Sequence, residues 1–440
     1  MRSPAILAAV LALAAGCAAA SGGIDSQEQL AQPLDRLLIG EAARYPADTS
    51  LRARTGELEA SMAERRKMAW SIVEKVLAPV RISGTAADGG EPLSMPRFQT
   101  WYSNEDFFPM FDRLFRAMSP ADQKARRPFT DGELAAIFPW NATMGTSLAS
   151  FTQERLEARR RDLQTAAGLA SLGKDPRVLM SPGYVEHVLR SYETAQHCDP
   201  TIEDPNIFAP CLSGEFPVDA VAIKSRWMPD TMNVPVYDTS ANALRTRLEN
   251  GTFGPGDRTA SPTADQAYTM QLTPTTKSRL VALHVMTKEL QDWAWITLWW
   301  SPDPDTDFGA DRPASISGAF RNYKMCVVTA YEEKDPTPGA GFPASLADAI
   351  DATHDGPATW CSNPYLESAE HAAKTSCIGC HQAGGTGETT FSILDQTEKF
   401  PDHARTKVRV SFPSDYAFTL NGGLDLAAGM QSRMDAVTPR

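Results

Sequence analysis

Leu280-Val281-Ala282-Leu283-His284-Val285-Met286 is continuously apolar except for one histidine, and Thr287-Lys288-Glu289 closes it with polar residues. A run this short between polar boundaries reads as a strand rather than a helix. Upstream, Ala220 to Trp227 sets Val221, Ile223 and Trp227 against Ala222, Lys224 and Arg226, the period of two expected of a strand with one face buried. Downstream, Trp293 to Trp300 is a tryptophan-rich strand, and Cys326-Val327-Val328-Thr329-Ala330 reads as another. Two stretches rich in Pro, Gly and Asp, Asn250 to Thr263 and Pro302 to Pro313, read as surface loops between these segments. From Phe216 onward the pattern is therefore that of a sheet.

The preceding part has helical periodicity. Glu57 to Val76 places Leu58, Met62, Met68, Trp70, Ile72 and Val73 among charges, and Asn104 to Met118 puts Phe107, Phe108, Phe111, Leu114 and Phe115 on one stripe. Gln153 to Leu172 reads as a third, charge-rich helix. The aromatic stripe is expected to pack a core rather than to meet a cofactor. No catalytic constellation precedes Pro182. The fold class expected is α+β, with a mainly helical N-terminal region over residues 41–185 and a sheet-rich region over 186–440.

Near the C-terminus stands Cys377-Ile378-Gly379-Cys380-His381, a C-x-x-C-H run. Two thiols three positions apart lie on one helical turn, where each can close a thioether to a haem vinyl group. The next residue brings an imidazole under the iron. A disulfide redox pair would need no adjacent histidine, and a zinc site would need further Cys or His ligands nearby, yet no second C-x-x-C exists. The reading is one covalently bound haem c with His381 as the proximal iron ligand. Glu367 to Cys380 reads as the helix that delivers the motif.

The chain opens with Met1-Arg2-Ser3-Pro4 and an apolar stretch from Ala5 to Ala15, the charged head and short apolar core of an export signal. Leu13-Ala14-Ala15-Gly16-Cys17 resembles the lipobox of bacterial lipoproteins, with Ala14 where Leu is more usual. Residues 1–17 are thus expected to be a signal and 18–40 a tether, opening with the small-residue run Ala18 to Ser26. Cys17 is the expected lipid anchor, plain cleavage of the signal being the alternative. By the same resemblance, Ala18 after the Cys implies the periplasmic side of the outer membrane. The chain has 440 residues and a formal charge of -12, which argues against nucleic acid and anionic lipid as partners. A basic redox partner protein or a small-molecule substrate suits it better. In an oxidising compartment the four other cysteines, Cys198, Cys211, Cys326 and Cys361, are expected to form two bridges. Short loops favour Cys198 with Cys211 and Cys326 with Cys361, and buried free thiols are the alternative.

Gly214-Glu215-Phe216 leads into Val221-Ala222-Ile223-Lys224, then Leu283-His284-Val285-Met286-Thr287-Lys288, Trp293-Ala294-Trp295, the C-x-x-C-H run, and Ser414-Asp415-Tyr416-Ala417-Phe418-Thr419. These pieces in this order resemble the cytochrome P-460 family, relatives of the β-sheet cytochrome c-prime proteins, over roughly Asp204 to Leu420. The resemblance implies an antiparallel-sheet, mono-haem c-type cytochrome domain. It implies a covalent haem link at Lys224, whose alternative is a solvent-facing strand lysine beside Arg226. The family's distal pocket residue, a carboxylate or an apolar ring, falls on His284, which is neither.

His284 shares a strand face with Ala282 and Met286 and has three readings. It is a hydrogen-bonded core residue, a sixth iron ligand, or a proton donor standing over an open iron. Met286, Met430 and Met434 are competing axial candidates. Trp293, Trp295 and Trp299 are expected to share a strand face as core packing. The stretch after His381, from Gln382-Ala383-Gly384-Gly385-Thr386-Gly387, is expected to form a flexible rim over one haem edge. Two functions follow: an electron carrier between periplasmic partners, or a haem enzyme or gas-binding protein acting on hydroxylamine, nitric oxide or peroxide.

Overall fold

A computed structural model describes residues 43–81, 94–102, 104–137, 177–195, 211–212, 214–240, 243–244, 246–247, 250–273, 276–329, 361–367, 377–385, 412, 414–420 and 426–437. The signal, the tether, Cys17, Cys198 and the expected helix Gln153 to Leu172 lie outside them, as does most of Glu367 to Cys380.

In chain order the elements are α1 (Thr55–Ala60), α2 (Met62–Leu77), β1 (Pro79–Arg81), β2 (Ser94–Pro96), α3 (Asn104–Ala117), α4 (Pro120–Ala125), α5 (Asp131–Ile137), β3 (Arg177–Met180), α6 (Pro182–Arg190), β4 (Val221–Pro229), β5 (Val234–Val236), β6 (Arg258–Ala260), β7 (Thr269–Thr273), β8 (Thr276–Thr287), β9 (Ala294–Trp300), β10 (Tyr323–Val328), α7 (Cys377–His381) and α8 (Leu426–Val437). The fold is α+β. Among the described residues no helix is long and apolar enough to cross a membrane.

The expected helix over Glu57 to Val76 is two helices, because Ser61 is extended and its side chain accepts the Glu64 N–H, starting α2 afresh. The stripe on α3 is core as expected. Phe107, Phe111 and Phe115 are buried, and Phe111 stacks on Phe115 with ring centroids 5.6 Å apart. Helix α8 lies against α3 at Gly429, where a Cβ would come within 2.3 Å of the Phe108 ring.

The main sheet is antiparallel and runs β10-β9-β8-β4-β3, with β7 also pairing the start of β8. Each central strand matches the segment that its sequence predicts, extended or trimmed at the ends. Along β4 the side chains of Lys224 and Arg226 are half-buried between buried neighbours, so the alternation is visible in the structure. Strand β3 comes from the N-terminal segment and pairs β4 in the register Val178 with Lys224 and Met180 with Ala222. Ser181, just after it, caps α6 through Tyr184 N–H and also accepts the Val221 N–H at 2.9 Å, tying the helix to the start of β4.

The helices dock on the sheet by specific polar contacts as well as by apolar packing. Arg66 of α2 donates to the carbonyl oxygens of Met325 and Phe308 at 2.6 and 2.7 Å. Glu289, fully buried just after β8, accepts from Tyr45 Oη at 2.7 Å, Asp48 N at 2.6 Å and Lys75 Nζ at 2.7 Å. One apolar cluster runs from Ala43 to Met434.

Candidate functional site

The C-x-x-C-H run is helix α7, and neither Cys377 nor Cys380 is in a disulfide. Cys326 and Cys361 close a disulfide with Cα atoms 5.7 Å apart. Cys211 is also disulfide-bonded. The Cys377 sulfur approaches the Cys361 carbonyl oxygen at 3.7 Å. Burial raises the Cys377 thiol well above its usual range, and the Glu367 carboxylate and Cys380 add to this while the charge on Lys224 opposes it.

His381 Nδ1 lies 2.9 Å from the carbonyl oxygen of Tyr416. A carbonyl only accepts, so Nδ1 carries the proton and Nε2 keeps its lone pair, the tautomer suited to binding a metal. The ring packs on Trp295, with centroids 4.5 Å apart, and on Phe418 at 5.1 Å. Burial pushes its pKa down to about 3, against the Tyr416 hydrogen bond and aided by positive charge on Lys224 and on protonated His284.

The Tyr416 carbonyl belongs to a turn in which Asp415 and Tyr416 have φ of 46° and 68°, left-handed values that a tyrosine rarely adopts. Gly384 and Gly385 let the chain leaving α7 lie on this turn. A Cβ on Gly384 would come within 2.9 Å of Ser414 Oγ and of the Tyr416 carbonyl carbon. Gln382 to Gly385 are therefore buried against the Ser414 turn rather than forming a rim, because the glycines permit close backbone approach. Residues 386–411 lie outside the description.

The sheet brings the other expected residues to one face. Lys224, His284, Thr297 and Cys326 form one cross-strand row, and Ala222, Met286, Trp295 and Val328 form the next. Residues alternate in facing, so Lys224 and His284 share the face on which Trp295 meets His381. Lys224 is half-buried and makes no ion pair among the described residues. His284 Nε2 is 3.2 Å from Glu367 Oε1, yet the direction is poor and the atom, though buried, has no aligned hydrogen bond. The distance therefore records an ion-pair contact available to protonated His284, not a hydrogen bond already made.

Glu367 was not singled out by the sequence. Its carboxylate is held through Oε2 by the Asn363 N–H and by Ser362 Oγ, and Asn363 Nδ2 donates to Thr297 Oγ1 at 2.6 Å and to the Leu298 carbonyl at 2.9 Å. The loop is pinned at its start by Cys361. No spacing signal marks Glu367, because only the disulfide and the Asn363 contacts bring it over β8.

The remaining candidates fall elsewhere. Trp293 does not share the strand face of Trp295 and Trp299, since it precedes β9 with φ of 66° and its ring meets Phe216 at 5.3 Å. Trp299 packs on Phe308 at 5.3 Å. Met430 and Met434 are buried on α8, which packs on α3.

No protein-family model, no curated protein and no solved structure matches this chain. The donor set itself fits a haem held by thioethers. Two unbridged thiols stand one helical turn apart, His381 presents a free Nε2, and on the same side of the sheet His284 keeps a buried nitrogen without an aligned partner.

Proposed function

We propose that this chain is an exported mono-haem c-type cytochrome of the P-460 kind, joined to haem through Cys377 and Cys380, with His381 Nε2 as the proximal ligand. The observation that carries the reading is the His381 Nδ1 contact to the Tyr416 carbonyl at 2.9 Å, which fixes the ring and leaves the correct nitrogen free. When bound, the haem would supply one-electron chemistry and an axial position for a ligand. Trp295 and Phe418 hold the His381 ring and keep water from it.

Of the two roles expected, electron carriage draws on the formal charge of -12, suited to a basic partner, and on a lipid tether at Cys17. The geometry gives more support to the other, a haem enzyme or gas-binding protein acting on hydroxylamine, nitric oxide or peroxide. His284 Nε2 and Glu367 Oε1, 3.2 Å apart, can pass a proton between them on the face that meets the haem motif. The pairing of Lys224 with His284 across β4 and β8 supports the covalent link that the family resemblance implies, and proteolytic mapping of the haem peptide would detect it.

The test of the haem reading is extraction. Haem in the wild-type protein should survive acid-acetone, and replacing Cys377 and Cys380 with Ala should release it unless Lys224 supplies a third bond, which the peptide map then reveals. Haem that leaves the unmodified protein on extraction would defeat the proposal.

A further inference from the structure

Four hydrogen bonds from three residues, Phe216 before β4 and Lys288 and Trp293 of the turn between β8 and β9, meet on Asp415, the residue just before Tyr416, whose carbonyl holds His381. Its Oδ1 accepts from Lys288 Nζ at 2.8 Å and from Trp293 Nε1 at 3.2 Å. Its Oδ2 accepts from the Phe216 N–H at 2.9 Å, and its carbonyl accepts from Trp293 Nε1 at 3.0 Å. Lys288 and Trp293 are fully buried, and the Lys288 ammonium also lies 5.5 Å from the Trp293 ring centre. A lysine ammonium this deep is stable only where a carboxylate meets it.

The convergence sits on a strained turn. Left-handed backbone costs a non-glycine residue about 1–2 kcal/mol, and Asp415 and Tyr416 adopt it in succession. Without anchors the turn would relax, and the direction of the Tyr416 carbonyl would go with it. We propose that Lys288, Asp415 and Trp293 are positioning residues that aim this carbonyl at His381 Nδ1, and so set how strongly His381 donates to the haem iron. The inference rests on the haem reading above. A firmer Nδ1–H bond makes the imidazole a stronger donor and favours ferric iron, so a loosened carbonyl should raise the reduction potential.

The test compares the potentials of Lys288→Met, Asp415→Asn and Trp293→Phe in the full-length haem protein. Positioning predicts a positive shift in all three, because each frees the same carbonyl. A through-space charge effect instead gives a negative shift for Lys288→Met, a positive one for Asp415→Asn and none for Trp293→Phe. That pattern, or three unchanged potentials, overturns the proposal. Trp293→Phe keeps the ring and alters no charge, so it decides the matter if the charged variants fail to fold. Should wild-type haem prove extractable, the haem reading falls separately. The network is then judged in the protein as isolated by the ¹⁵N resonance of His381 Nδ1, which Trp293→Phe should move and which an unmoved signal would contradict.

Discussion

At the scale of single residues, His284 divides the two roles. If its Nε2 stands over an open axial position, the ferrous protein should be high-spin and bind carbon monoxide readily. His284→Ala should then slow peroxide or hydroxylamine turnover by about 10²- to 10⁴-fold with the spin state unchanged. Glu367→Ala should slow turnover in the same sense, since Glu367 Oε1 is 3.2 Å from that nitrogen. If His284 closes the sixth position, the wild-type protein should be low-spin and the alanine variant should gain carbon monoxide binding. A variant that changes neither spectrum nor turnover would leave His284 as a core histidine. Cys377, Cys380 and His381 could be nominated from sequence because the proposed attachment chemistry requires a fixed local spacing. Glu367 was not, because what makes it relevant is a loop folded over a strand more than 80 residues earlier in the chain.

At the scale of elements, the loop 361–367 is the least obvious part of the site and the most exposed to a redox change. It is fastened to β10 by Cys326–Cys361 and to β9 by Asn363. Opening the disulfide by replacing both cysteines with Ser should lower stability by roughly 2–4 kcal/mol, the usual range for a bridge of this kind. Under the proposed enzyme role it should also reduce turnover in the direction of Glu367→Ala, as the carboxylate loses its fixed place beside His284. Urea unfolding and steady-state rates measured on the same preparation would check both, and a stability loss with full turnover would show that Asn363 alone holds the loop. The strands themselves were easy to read, since burial on a pleated surface imposes a period of two on Ala220 to Trp227 and an apolar run on Leu280 to Met286. The local pairing of Cys326 with Cys361 was anticipated from loop entropy and agrees with the structure. Irregular loops carry no such period, which is why the burial of Gln382 to Gly385 against the Ser414 turn was not legible, while residues 386–411 of the expected rim lie outside the described residues.

For the whole molecule, the turn after β8 links the helices to the turn that holds His381. Lys288 reaches Asp415 beneath His381, while the next residue, Glu289, is fully buried among Tyr45, Asp48 and Lys75. Those partners lie 214 to 244 residues earlier, a separation that sequence periodicity does not encode. Lys75 is the only cation at hydrogen-bond distance of Glu289 among the described residues. Lys75→Met should therefore strand a buried carboxylate. Removing one partner of a buried pair typically costs about 3–5 kcal/mol. Here about 2–3 kcal/mol is expected, because Lys75 is partly exposed and three neutral donors remain, Tyr45 Oη, the Asp48 N–H and Thr287 Oγ1. Adding Glu289→Gln should recover part of that loss: an amide oxygen in the place of Oε1 still accepts from the Asp48 N–H, the amide NH2 in the place of Oε2 can donate to Tyr45 Oη, and no charge is left buried. Chemical denaturation of the two single variants and the double variant measures the coupling directly. If the losses simply add, Glu289 does not depend on Lys75, and the helices are held to the sheet by apolar packing and Arg66 rather than by this ion pair.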